Sequence, residues 1–178
     1  RKPLLWRYWV KIPAEGNFSL FDRGWYQDLY IAQLEQDVED TEWERRVHSI
    51  NTMERQLSDE GYVIVKFFLH ISQEEQRLRF EKLADSKNTS WRVTQRDWKR
   101  NKQYRRYYKA ADRMMERTHT PYAPWHVIPS HDKRFALYQI YSILTDAIGK
   151  ALQPKERRES PRNLAEGTPA GVYVPETF

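Results

Sequence analysis

Apolar positions along this 178-residue chain gather in short dense runs separated by stretches of helical length. Residues 17–21 (NFSLF) lie between Gly16 and Asp22, and residues 62–71 (YVIVKFFLHI) are rich in β-branched and aromatic types with almost no alternation. Runs of this kind suit strands buried on both faces. Trp125–Pro129 (WHVIP), after Pro124, is a shorter third candidate. Between the runs, Thr41-x-x-Glu44 and Ser72-x-x-Glu75 have the spacing of capping boxes and predict helices ending near Gly61 and Asp85. Residues 101–117 and Lys133–Leu152 predict two more, the last with Leu137, Ile140, Tyr141, Leu144 and Ile148 on one helical face.

Strands alternating with helices imply βαβ units and a largely parallel sheet covered by helices, hence an α/β domain. Three strands are fewer than such a sheet normally has. The chain also opens on Arg1 in RKPLLWRYW, which is neither a signal peptide nor an initiation site, so a piece of a longer protein is expected, with further strands supplied upstream. After Leu152 four prolines and the loss of helical periodicity divide the chain into a domain over residues 1–152 and a linker or docking tail over 153–178.

Composition narrows the class. With 39% hydrophobic residues the chain can bury a core, and the absence of cysteine excludes disulfides and thiolate metal sites. No apolar run approaches the roughly 18 residues that span a bilayer, so a soluble, cytoplasmic protein without a membrane partner is expected. The net charge of +5 is unevenly placed: residues 87–117 hold eleven Lys and Arg against three acids, whereas residues 27–60 hold ten acids against three arginines. The basic segment is either a solvated helix face or a polyanion site, and its interleaved aromatics would also suit base stacking, which keeps a nucleic-acid ligand as the lesser reading.

The hexapeptide FDRGWY puts Asp22 and Arg23 at the carboxyl end of the first candidate strand, where open α/β sheets bind ligands. An aspartate there can hold Mg²⁺ and the adjacent arginine can engage phosphate oxygens, although the same pair also makes an ordinary turn with an ion pair. Trp91-Arg92, Asp97-Trp98-Lys99 and Tyr104-Arg105-Arg106-Tyr107-Tyr108 supply cations on a segment that could close over a phosphate chain. The five histidines show no ligand spacing and are read as structural, and no nucleophile elbow is present.

The ordered series LLWRYW, FDRGWY, INTMERQL, VKFFLHIS, EEQ, TSWRVT followed by DW, APW and DKRFA resembles the polyphosphate kinase 2 family over nearly all of residues 4–152. That resemblance implies a three-layer αβα P-loop-kinase-like fold with a parallel sheet and a basic helical lid, and phosphoryl transfer between inorganic polyphosphate and a nucleotide (AMP, ADP or GDP) with Mg²⁺. It casts Asp22 as the Walker B-type carboxylate and metal ligand and Arg23 as its catalytic phosphate-binding neighbour. Arg79, Arg92, Lys99, Arg105, Arg106, Lys133 and Arg134 become phosphate or polyphosphate ligands. The Gly-rich Walker A loop with its lysine is absent from this sequence.

Departures from the family pattern are as informative. Gly24 stands for a serine, Gln27-Asp28 for Gly-Arg, Ala32-Gln33 for Glu-Arg, and Leu83 for an arginine four residues beyond Arg79. Exchanging an arginine for Asp28 beside a polyanion replaces attraction with repulsion. This erosion resembles the amino-terminal, degenerate domain of the tandem subgroup, the polyphosphate:AMP phosphotransferases. It leaves two readings, a catalytic domain or a non-catalytic interaction half, with a second domain in the same chain or a homo-oligomer as partner.

Overall fold

The computed structural model describes residues 5–35 and 38–153, the side chains of Ala32 and Gln33 excepted. In chain order the elements are α1 (Trp6–Trp9), α2 (Tyr26–Glu35), α3 (Asp40–Asp59), β1 (Lys66–His70), α4 (Gln73–Asp85), a 3₁₀ turn (Ser90–Arg92), α5 (Gln95–Lys102), α6 (Tyr104–Thr118), β2 (Trp125–Pro129) and α7 (Lys133–Leu152). The two strands pair in parallel, with Lys66 opposite Trp125 and His70 opposite Pro129. An α/β domain with a small parallel sheet is therefore observed, and its crossover runs through α4, α5 and α6.

The core is built on α3. Trp43, Val47, Ile50, Met53 and Leu57 recur at helical spacing and are buried, with Leu29 and Tyr26 of α2 and Met114 of α6 packed against them. Each such side chain contributes about 1.5–3 kcal/mol by leaving water. Trp43 adds a hydrogen bond from its indole to the Leu29 carbonyl at 3.2 Å. The helix ends in a Schellman motif: Gly61 takes the left-handed conformation at φ 93°, Tyr62 N–H reaches the Leu57 carbonyl at 2.9 Å and Gly61 N–H that of Ser58 at 3.0 Å.

Beneath the sheet lies a buried polar group. Lys66 Nζ sits 3.0 Å from Glu54 Oε2 and donates to the Thr118 carbonyl at 2.6 Å, while Trp25 Nε1 donates to Glu54 Oε1 at 2.9 Å. The Lys66 ammonium also lies 5.2 Å from the ring centroids of Tyr26 and Trp125. Burial pushes the Glu54 carboxyl up and the Lys66 amine down, each opposed by the charge of the other. The group ties α2, α3, α6 and β1 to one point.

Several expectations need correction. Residues 17–21 form no strand: among the described residues no neighbour lies alongside to complete a ladder, and Phe18 and Leu20 are each 94% exposed. Only residues 66–70 of the second run pair as strand. Thr41 does not cap; α3 starts two residues earlier than a Thr41 cap would give, with Glu39 at the N-cap. Ser72 does cap α4, accepting from Glu75 N–H at 3.2 Å. The helix expected over 101–117 is two helices, because Gln103 leaves helical geometry between α5 and α6. On α7 only Ala136 is buried, and Leu137, Tyr141 and Ile148 of the expected apolar face are exposed among the described residues. The tail from residue 154 lies outside the described residues.

Candidate phosphate site

Asp22 and Arg23 sit in the tight turn that leads into α2, both exposed. Arg23 has φ 62° and Gly24 φ 49°, two consecutive residues in the left-handed region. For arginine that conformation costs about 1–2 kcal/mol, so the surrounding structure must impose it. Tyr8 does so: its hydroxyl donates to the Gly24 carbonyl at 2.7 Å. Its ring meets Phe21 at 6.2 Å and Trp25 at 5.7 Å, edge on. A Cβ on Gly24 would make only ordinary contacts, so the absence of the family serine is a matter of backbone conformation rather than of space.

Asp28 meets the Arg7 guanidinium in a side-chain ion pair. Its charge is thus answered locally, which removes much of the repulsion expected from the sequence.

The oppositely charged halves dock on one another. Arg113 reaches Asp40 at 3.1 Å and Glu44 at 3.5 Å while lying 4.1 Å over the Trp43 ring, and Arg117 reaches Glu44 at 2.6 Å. Glu35, the last residue of α2, accepts from Arg100 Nη2 at 2.8 Å, from the Tyr107 hydroxyl at 2.9 Å and from Arg96. Burial pushes the Glu35 carboxyl up, but the hydrogen bonds from Arg100, Arg96 and Tyr107 outweigh it and hold the group at about 2. Four of the eleven basic residues in 87–117 are so paired. Among the described residues, Lys87, Arg92, Lys99, Lys102, Arg105, Arg106 and Lys109 have no acidic partner.

Thr94 and Asp97 start α5 with a full capping box, the Thr94 backbone N–H and hydroxyl donating to Asp97 Oδ2 at 2.8 and 2.6 Å. These bonds first of all hold the Asp97 carboxyl below its usual range against burial, and the charges of Arg100 and Arg23 act in the same direction.

A second group gathers at the carboxyl ends of the strands. Arg79 of α4 pairs with Glu75 at 2.6 Å and donates to the carbonyls of Ser130 and His131 at 2.7 and 3.0 Å. Its guanidinium is engaged by Glu75 and by the turn that leads into Lys133 and Arg134 at the start of α7. Asp132 caps α7 by accepting from Arg134 and Phe135 N–H at 2.7 and 3.1 Å, leaving the side chains of Lys133 and Arg134 exposed at the helix start. Tyr104 ties α6 to the end of β1, donating to the Ile71 carbonyl at 2.6 Å and lying 2.9 Å from His70 Nε2.

Tyr8, Glu35 and Tyr104 were not singled out by the sequence. Tyr8 and Tyr104 stood inside quoted motifs without a role, and Glu35 is an isolated acid whose partners lie more than sixty residues away. The Thr94-x-x-Asp97 spacing was a readable cap signal.

Residues 1–156 match the family described as Polyphosphate kinase 2 (PPK2). The polyphosphate:AMP phosphotransferase of Pseudomonas syringae pv. tomato is 34% identical over 157 residues, 88% of this chain and 32% of that protein. The AMP/ADP-polyphosphate phosphotransferase of Meiothermus ruber is 34% identical over 150 residues, 84% of this chain and 56% of that protein. The crystal structure of polyphosphate kinase 2 from Arthrobacter aurescens TC1 superposes with a TM-score of 0.81 at 33% identity, covering 85% of this chain and 53% of that one. The chain thus spans between about a third and somewhat over half the length of these relatives. With the motif order, the parallel strand pair and the matched residues in agreement, the chain belongs to the polyphosphate kinase 2 family.

Proposed function

We propose that this chain is part of a phosphotransferase that moves a phosphoryl group between inorganic polyphosphate and a nucleoside mono- or diphosphate, AMP, ADP or GDP, with Mg²⁺. The observation that carries the reading is the set of exposed cations Arg92, Lys99 and Arg105 on the 3₁₀ turn, α5 and α6, which have no acidic partner among the described residues, together with a turn that holds Arg23 in a strained conformation. Strain that is retained at a charged, exposed residue favours a binding role. The names of the relatives supply the substrate class. We read the sheet as part of a P-loop-kinase-like αβα sandwich in which Asp22 and Arg23 take the Walker B positions, with residues 1–152 as the domain and 153–178 as a tail. A cytoplasmic location and assembly with a second domain or second copy belong to the same proposal.

The donor set suits Mg²⁺ better than a transition metal. Asp22 is an exposed hard-oxygen donor without a partner among the described residues, where no three His, Cys, Asp or Glu side chains form a cage. Mg²⁺ characteristically takes one or two carboxylates, waters and substrate phosphates. Bound there, it would neutralise phosphate charge. Arg23, Arg92, Lys99, Arg105 and Arg106 would hold the phosphate chain, with Lys133 and Arg134 at the start of α7, while Arg79 would position the turn that leads into them.

Phosphoryl-transfer assays on the intact protein with polyphosphate and AMP, ADP or GDP test this; no turnover with any acceptor would sink it. A second reading, a non-catalytic half supporting an active domain, is favoured by the Arg7–Asp28 pair, which uses an arginine to satisfy an acid where the family carries a base. Under that reading Asp22→Ala leaves turnover of the intact protein unchanged.

A further inference from the structure

The carboxyl end of α2 is an anionic point around which the basic segment is arranged. Glu35 accepts from Arg100 Nε and Nη2 at 3.1 and 2.8 Å, from the Tyr107 hydroxyl at 2.9 Å and from Arg96. Next to it the Leu34 carbonyl, one of the unpaired acceptors at the helix end, lies 3.4 Å from Arg106 Nη2. Tyr30, one turn earlier, packs its ring 5.8 Å from that of Tyr107. Two residues of α5 and two of α6 therefore converge on one turn of α2.

The charges at this point do not balance. Glu35 faces two guanidinium groups, Arg96 and Arg100, with Arg106 on the neighbouring carbonyl, and Asp97 is the second carboxylate that feels Arg100, so three guanidinium groups against two carboxylates leave an excess of positive charge while the cluster holds the helices together. The planar guanidinium fork fits a phosphate oxygen pair as well as it fits a carboxylate. Arg92 of the 3₁₀ turn, Lys99 of α5 and Arg105 of α6 stand exposed without acidic partners among the described residues, and the charge of Arg23 acts on Asp97 of α5. A phosphate chain drawn to those cations reaches arginines that are already engaged by a single, exchangeable anion.

We infer that Glu35 is a positioning residue, a resident anion that keeps α5 and α6 docked on α2, and that a phosphate chain competes with it for Arg96 and Arg100. The inference rests on the polyphosphate-binding reading above. It assigns Glu35 a sign opposite to that of a ligand: the carboxylate orders the segment in the free protein and is displaced as the polyanion enters.

The test compares the intact protein with its Glu35→Gln and Arg96→Gln/Arg100→Gln variants, using linear inorganic polyphosphate as the probe and amide hydrogen exchange over residues 94–107 as a readout of docking. Without ligand, both variants exchange faster than wild type. With ligand they part: Glu35→Gln binds about 3–10-fold more tightly and with a steeper salt dependence, whereas the double variant binds about 10-fold or more weakly. Unchanged or weaker binding by Glu35→Gln, or unchanged exchange, overturns the inference while wild-type binding leaves the proposed function standing. Absence of polyphosphate binding by the wild type removes both. Should Glu35→Gln lose its near-UV dichroism, Glu35→Asp, which keeps the charge and shortens its reach, is expected to move both readouts in the same directions by a smaller amount; no movement overturns the inference equally.

Discussion

The Tyr8 hydroxyl hydrogen-bonds the Gly24 carbonyl at 2.7 Å, so a residue of the first helical turn determines how the Asp22–Arg23 turn is presented. Burial pushes the Tyr8 phenol up from its ordinary value, which keeps it a donor throughout the neutral range. Tyr8→Phe is expected to cost about 1 kcal/mol in urea unfolding. Arg23→Gly should do the reverse for stability, gaining about 0.5–1 kcal/mol by relieving a positive φ, while lowering polyphosphate binding. A variant that is both more stable and a weaker binder would separate the strain from the function.

Asp22 is exposed and has no partner among the described residues. Asp22→Ala should therefore change stability by less than about 0.5 kcal/mol and yet lower Mg²⁺-dependent phosphoryl transfer by about 100-fold or more in the intact protein. Turnover at the wild-type rate would favour the non-catalytic reading.

The buried Glu54–Lys66 pair predicts a non-additive cycle. Lys66→Met leaves a carboxyl in a dry site with one donor, from Trp25, and should cost about 3–5 kcal/mol. Adding Glu54→Gln removes the stranded charge and should recover most of that loss. Chemical denaturation of the two single variants and the double variant measures the coupling; additive losses would mean that the two side chains do not act as a pair.

Docking of α5 should depend on pH in one direction. Glu35 is held at about 2, below its unfolded value of 4.5, so its ionised form is favoured by the folded state. The contribution is present above pH 4.5 and is lost as pH falls toward 2. Hydrogen exchange over residues 94–107, corrected for intrinsic rates, should accelerate across that window in the wild type and lose that pH dependence in Glu35→Gln.

Arg79→Ala is expected to destabilise by about 1.5–3 kcal/mol, because the Ser130 and His131 carbonyls lose a charged donor. It should also raise the KM for the phosphate substrate by loosening the Ser130–His131 turn that leads into Lys133 and Arg134, with a smaller effect on kcat.

What could be read from the chain was whatever local order carries. Trp125–Pro129 and Lys133–Leu152 were legible because an apolar run after proline and a helix-length stretch of recurring apolar residues announce themselves locally. Residues 17–21 have the composition of a strand, but a strand is completed by a neighbour, and the pattern cannot say whether one is there. The outer face of α7 misled for a related reason, since helical spacing identifies a face without identifying what meets it. At the site, Asp22, Arg23 and the basic cluster were visible as residue types. Their states were not: the left-handed Arg23 depends on Tyr8, and the pairing of Arg96 and Arg100 depends on Glu35, contacts that only the folded chain creates.

The register that sets Lys66 opposite Trp125 joins strands separated by the whole of α4, α5 and α6. A parallel ladder of five residue pairs must therefore wait for a long intervening segment to become compact, and such long-range pairing is slow to form. The cations of that segment repel one another until Glu35, Asp40 and Glu44 arrive from the other side. The ion pairs that cancel that repulsion cross from the basic segment to α2 and α3, so the charge of the segment opposes its own compaction until those helices are in place.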